Sequence, residues 1–127
     1  MHNSASFSIA LAMTECLTAG VKAGVSPGTL IKVFQQCALG RNFDLQVRLP
    51  NTLFKGDFSP RFSLKIARKD IGLGNEMARA SGVKMPLVNF CEHEMEEAMS
   101  RGWGDKDSSI FLTLQEERSG VKIRSVD

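Results

Sequence analysis

Cysteine is scarce in this chain, with Cys16, Cys37 and Cys91 odd in number and far apart. Such spacing excludes a disulfide framework and points to free thiols in a reducing compartment. An excess of either charge is also missing, because 16 basic residues stand against 14 acidic ones for a net +2. The bases are interleaved with acids, so the electrostatic footprint of a nucleic-acid binder is lacking and no DNA or RNA partner is expected. Met1-His2-Asn3 precedes the first apolar stretch without a basic segment, which argues against a secretory leader. The longest apolar segments are interrupted by polar residues short of the ~20 positions a membrane span needs. Together these absences predict a cytoplasmic protein with no membrane partner.

Motifs for self-contained chemistry are missing as well. There is no Gly-x-Gly-x-x-Gly and no Walker loop, hence no cradle for a pyrophosphate, and no cofactor is expected to bind this chain alone. His2 and His93 are the only imidazoles and no nucleophile elbow is present, so acyl transfer has little to stand on. Cys91 and His93 lie two apart on a helical stretch and point in different directions, and no second ligand pair follows; no metal site is expected. No segment sustains the period-two alternation of a strand, and no internal repeat suggests a solenoid.

What remains is helix. With 127 residues, 43% hydrophobic and 24% charged, the composition is that of one folded domain. Phe7, Ala10, Leu11, Met13, Leu17 and Val21 recur at helical spacing, predicting a long first helix over Asn3 to Gly24. Ser26-Pro27 caps a second, running to about Leu39. Pro50 reduces the stretch from Asn42 to Phe54 to a connector with at best two short turns. Ser59-Pro60 is placed to start a helix from about Phe62 to Ala80, Pro86 opens another through about Ser100, and Asp107 caps a last one carrying Ile110, Phe111 and Leu114. The stretch 118–127 lacks apolar periodicity and reads as a mobile tail that frays or docks elsewhere. The expected fold is an all-α bundle of about six helices, one domain over 1–127.

Within the helix after Pro60, the apolar stripe Phe62, Ile66, Leu73, Met77 and Ala80 predicts a buried face whose middle members are charged, Lys69 and Asp70. Burying an isolated charge costs several kcal/mol, so the pair either meets partners or a ligand, or Lys69 snorkels to solvent while Asp70 faces out. Asn3, at the start of the first helix, can cap orphan donors or hydrogen-bond a carboxylate.

Four strings stand in a particular order: Thr14-Glu15-Cys16-Leu17 with Lys22-Ala23-Gly24-Val25, then 56–62 (Gly-Asp-Phe-Ser-Pro-Arg-Phe), then Lys69-Asp70-Ile71-Gly72-Leu73, then 102–109 (Gly-Trp-Gly-Asp-Lys-Asp-Ser-Ser). In that order and at those separations they resemble the C-terminal domain of the β-hydroxyacid dehydrogenases, the 3-hydroxyisobutyrate dehydrogenase and 6-phosphogluconate dehydrogenase-like group. The resemblance spans nearly the whole chain. It implies an NAD(P)-dependent oxidoreductase acting on a small 2- or 3-hydroxy acid, with a Rossmann domain of the same enzyme as partner and a homodimer as assembly. It further implies a catalytic lysine just before Met1, so that no catalytic residue lies in this chain. By the same resemblance Asn3 and Asp70 contact substrate, while Lys69 and Phe62 lie on the cofactor side, with NAD or NADP bound in the complete enzyme. An alternative reading is a free-standing helical dimerisation module without catalysis.

Overall fold

Phe7, Ala10, Leu11, Met13 and Leu17 fall on one side of a helix that runs over α1 (His2–Lys22), and all five are buried. That row supplies the axis around which the rest packs. The computed structural model describes residues 1–125, and among them α1 touches α2 (Pro27–Gln36), α4 (Leu64–Ala80), α5 (Pro86–Ser100) and α6 (Thr113–Ser119). A short α3 (Leu49–Asn51) continues from a π-helical turn, Asp44–Arg48. The fold is the expected all-α bundle. Among the described residues β-structure is limited to one isolated bridge, between Ser63 and Asp107.

Sequence signals account for several helix ends. Ser26 caps α2 by accepting the Thr29 N–H, and Asp107 accepts the Ser109 N–H at the start of a 3-10 turn, Ser108–Leu112, that leads into α6. The second helix stops earlier than expected, at Gln36, and a 3-10 turn over Ala38–Arg41 follows. Only glycine fits inside that turn, because a Cβ on Gly40 would lie 1.9 Å from the Gln35 carbonyl oxygen. Ser59-Pro60 does not open α4; the helix starts at Leu64, where the Leu64 and Lys65 N–H groups donate to the Lys106 and Gly104 carbonyls. A loop distant in sequence thus sets this helix start by satisfying its orphan donors.

Three expectations need correction. The connector has its two short turns, the π-helical turn and α3, yet it is also core: Leu45, Leu49, Leu53 and Phe54 are all buried, four-residue spacing keeps the leucines on one side, and Pro50 sits in the first turn of α3, where its missing N–H costs little. The tail is packed as far as Ser125. Ile123 is fully buried, its N–H and the Arg124 guanidinium both donate to Glu116 Oε1 at 2.6 Å, and Ser125 N–H donates to the Phe54 carbonyl. The remaining two positions of that tail lie outside the described residues. By length and composition α1 also suffices to cross a membrane, at 21 residues and a mean hydropathy of 1.3 over its most apolar window, 44% of which is buried inside the domain.

Helix α5 returns antiparallel along α4, as Asn75 pairs with Glu92 (2.6 Å) and Arg68 with both Glu92 (3.3 Å) and Glu96 (2.5 Å). It ends in an ion-pair cluster in which Arg118 of α6 grips Glu94 (2.6 Å) and Glu97, and Arg101 reaches Glu97 (2.8 Å) and Glu117 (2.5 Å).

Candidate functional site

Helix α4 presents two stripes of helical period, and the core takes the one with smaller side chains. Leu64, Ala67, Ile71, Gly74, Asn75 and Ala78 face inward. The expected buried stripe faces out instead, with Ile66 42%, Leu73 56% and Met77 54% exposed. The reason is helix separation: small residues let backbones approach, and a Cβ on Gly74 would lie 2.6 Å from Ser4 Oγ of α1. Bulk on the inner face would push α1 and α4 apart.

That choice leaves an apolar surface flanked by the charged pair. Asn3 is not a helix cap, since it lies inside α1 behind Met1; its Nδ2 donates to Asp70 Oδ2 at 2.9 Å across the α1–α4 contact. The amide has a second N–H, which this bond does not use. Lys69 Nζ lies 3.8 Å from Asp70 Oδ1, with the lysine side chain 66% exposed and the aspartate 31%. An open depression of about 370 Å³ is bounded by Met1, His2, Asn3, Asp70, Leu73, Gly74 and Met77. The structure therefore gathers Asn3, Asp70 and Lys69 at one edge.

Phe62 is reached by a different route. It stands in the turn before α4, half-buried, with its ring stacked on Phe7 at 6.3 Å between centroids and 11° between planes. Phe7 lies four residues along α1 from Asn3 and meets Phe111 edge-on at 6.3 Å. The Arg61 and Phe62 N–H groups both donate to Asp107 Oδ2 at 3.3 Å, while Oδ1 accepts from Ser109 N–H (3.0 Å) and Oγ (2.8 Å). Phe62 does not bound the depression itself.

Two groups beside these residues escaped the sequence reading. Asp107 was legible only as a helix cap, though its second oxygen holds the turn that carries Phe62. Asp44 and Arg48, an i,i+4 pair that would pass for surface decoration, form a buried ion pair at 2.7 Å. Burial pushes the Asp44 carboxyl up against the opposing pull of Arg48, and it pushes the Arg48 guanidinium down against Asp44 and Asp107. Elsewhere burial raises the Cys91 thiol to about 12, whereas Cys16 and Cys37 are exposed. No group of three or more His, Cys, Asp or Glu side chains among the described residues is placed to hold a metal.

A dinucleotide needs donors for its pyrophosphate as well as a wall for its ring. The exposed α4 face offers a cation, Lys69, and the apolar side chains of Leu73 and Met77, surface of the kind a ring packs on. The α1–α4 edge holds no glycine-rich turn at a helix N-terminus, so it does not fit the cradle.

Residues 1–114 match the family described as NAD-binding of NADP-dependent 3-hydroxyisobutyrate dehydrogenase, and the chain belongs to that family. It is 26% identical over 111 residues to the 2-(hydroxymethyl)glutarate dehydrogenase of Eubacterium barkeri, covering 87% of this chain and 36% of that one. It is 32% identical over 91 residues to the 3-sulfolactaldehyde reductase of Escherichia coli (strain K12), covering 72% and 30%. The fold matches a solved 3-hydroxyisobutyrate dehydrogenase from Salmonella typhimurium with a TM-score of 0.78 at 24% identity, covering 89% of this chain and 39% of the other. The chain spans about a third of the length of the curated relatives it matches.

Proposed function

We propose that this chain is the C-terminal, substrate-binding and dimerisation domain of an NAD(P)-dependent oxidoreductase acting on a small 2- or 3-hydroxy acid. One observation carries the reading: the Asn3–Asp70 hydrogen bond, with Lys69 beside it, sits at the border of an apolar face that nothing among the described residues covers. A Rossmann domain preceding Met1 would cover that face, bring the pyrophosphate cradle, and supply a lysine as general acid/base at the substrate hydroxyl. In this arrangement the Asn3 amide hydrogen-bonds the substrate carboxylate, Asp70 orients that amide, Lys69 reaches over the nicotinamide side, and Phe62 lines the cleft near the ring. Assembly is a homodimer in the cytoplasm.

The test has two arms. Pure 1–127 chain should oxidise no NADH or NADPH with any small oxo acid, and measurable consumption would overturn the reading of what this domain lacks. In the enzyme that carries a Rossmann half ahead of Met1, Lys69→Ala should lower kcat/KM by roughly 10-fold to 100-fold, and unchanged kinetics would remove Lys69 from the site. The same uncovered face also suits a free-standing association module, which stays inactive even when the preceding sequence is restored.

A further inference from the structure

The π-helical turn at Asp44–Arg48 stands out, because such turns are rare and often mark functional positions. It swings Asp44 and Arg48 beneath the first turns of α1. Asp44 is buried and accepts from Ser6 Oγ at 3.3 Å, and the Arg48 guanidinium carbon lies 4.4 Å from the centroid of the Phe7 ring. Arg48 Nε is buried without a hydrogen-bond partner, so this guanidinium is not fully used by the fold. A buried ion pair is generally no more stabilising than apolar groups of the same volume, so packing alone does not call for an arginine here. What only a planar cation supplies is a flat, fixed surface against an aromatic ring.

The contact chain then runs one way. Asp44 holds Arg48, Arg48 lies over Phe7, and Phe7 stacks with Phe62. Asp107 grips the backbone of Phe62, and its ring packs against the core, where Phe7 is the aromatic partner stacked on it. The ring is steadied by Phe7.

We propose that Arg48 is a positioning residue of the cleft, fixing the Phe62 ring through Phe7 while Asp44 holds the guanidinium in place. Its bearing on turnover rests on the reading of Phe62 given under Proposed function; its bearing on ring geometry does not. The test therefore has an arm for each. In the isolated chain, NMR cross-relaxation between the Phe7 and Phe62 rings reports the stack directly. Arg48→Lys, which keeps the charge and loses the plane, and the paired change Asp44→Asn with Arg48→Met, which removes the charges together, should both weaken those cross-peaks while the amide spectrum stays folded. Persistent cross-peaks in both variants would overturn the proposal, and so would loss of the fold in both, since the pair would then be structural. In the full-length enzyme the same variants should raise KM for the nicotinamide cofactor by roughly 10-fold, with kcat changed less. An active enzyme whose cofactor KM does not move while the ring cross-peaks weaken counts against the reading of Phe62, and one in which neither moves overturns the role of Arg48. An inactive wild-type enzyme would instead count against the functional reading, leaving the ring measurement to judge Arg48.

Discussion

Gly74 and Ser4 meet where α1 crosses α4, and that contact sets the spacing of the whole candidate edge. Because a Cβ on Gly74 would come within 2.6 Å of Ser4 Oγ, Gly74→Ala should destabilise the domain by about 1–3 kcal/mol through overpacking, read as a lower urea midpoint. Ser4 Oγ is itself buried without a partner, so Ser4→Ala should be nearly neutral. The double variant should recover most of the loss. If the two losses simply add, the Ser4 contact is not what excludes a side chain at position 74. The same pair shows what the sequence could not reveal: a glycine inside a helix reads as a weak former, and only the neighbouring helix explains it.

Among the elements, α4 taught the clearest lesson. Its two stripes share one period, and sequence reasoning chose the bulkier row, Ile66, Leu73 and Met77, as the buried one. Periodicity finds a helix without telling which of two apolar rows faces in, since that depends on how closely the neighbours approach. The inversion is directly measurable. Ile71→Ala, at a fully buried position, should cost about 2–5 kcal/mol. Leu73→Lys, on the exposed row, should change the stability of the isolated domain by less than about 0.5 kcal/mol. Equal losses from the two would mean that both rows are covered. Lys69 and Asp70 stand beside the exposed row and not within a buried one, with the lysine side chain 66% exposed and the aspartate 31%.

At the scale of the molecule, the C-terminal segment closes the bundle. Ile123 is fully buried and its N–H is held by Glu116, so Ile123→Ala should lower stability by about 2–4 kcal/mol in thermal or urea unfolding. A loss below about 0.5 kcal/mol would return 118–125 to the status of a loose tail. Helix number, most helix ends and the all-α class were legible in the sequence, because caps, prolines and spacing act within a few residues of one another. The buried role of Leu45, Leu49 and Leu53 was partly legible from their four-residue spacing and was obscured by Pro50. Asn3, Lys69 and Asp70 could be nominated from local pattern and family resemblance. That Asn3 and Asp70, 67 positions apart, share a hydrogen bond, and that Asp107 and Arg48 converge on Phe62 and Phe7, came only from tertiary structure. Local backbone preference is written in neighbouring residues; which faces meet is decided by the packing of the whole chain, where no short stretch contains the answer.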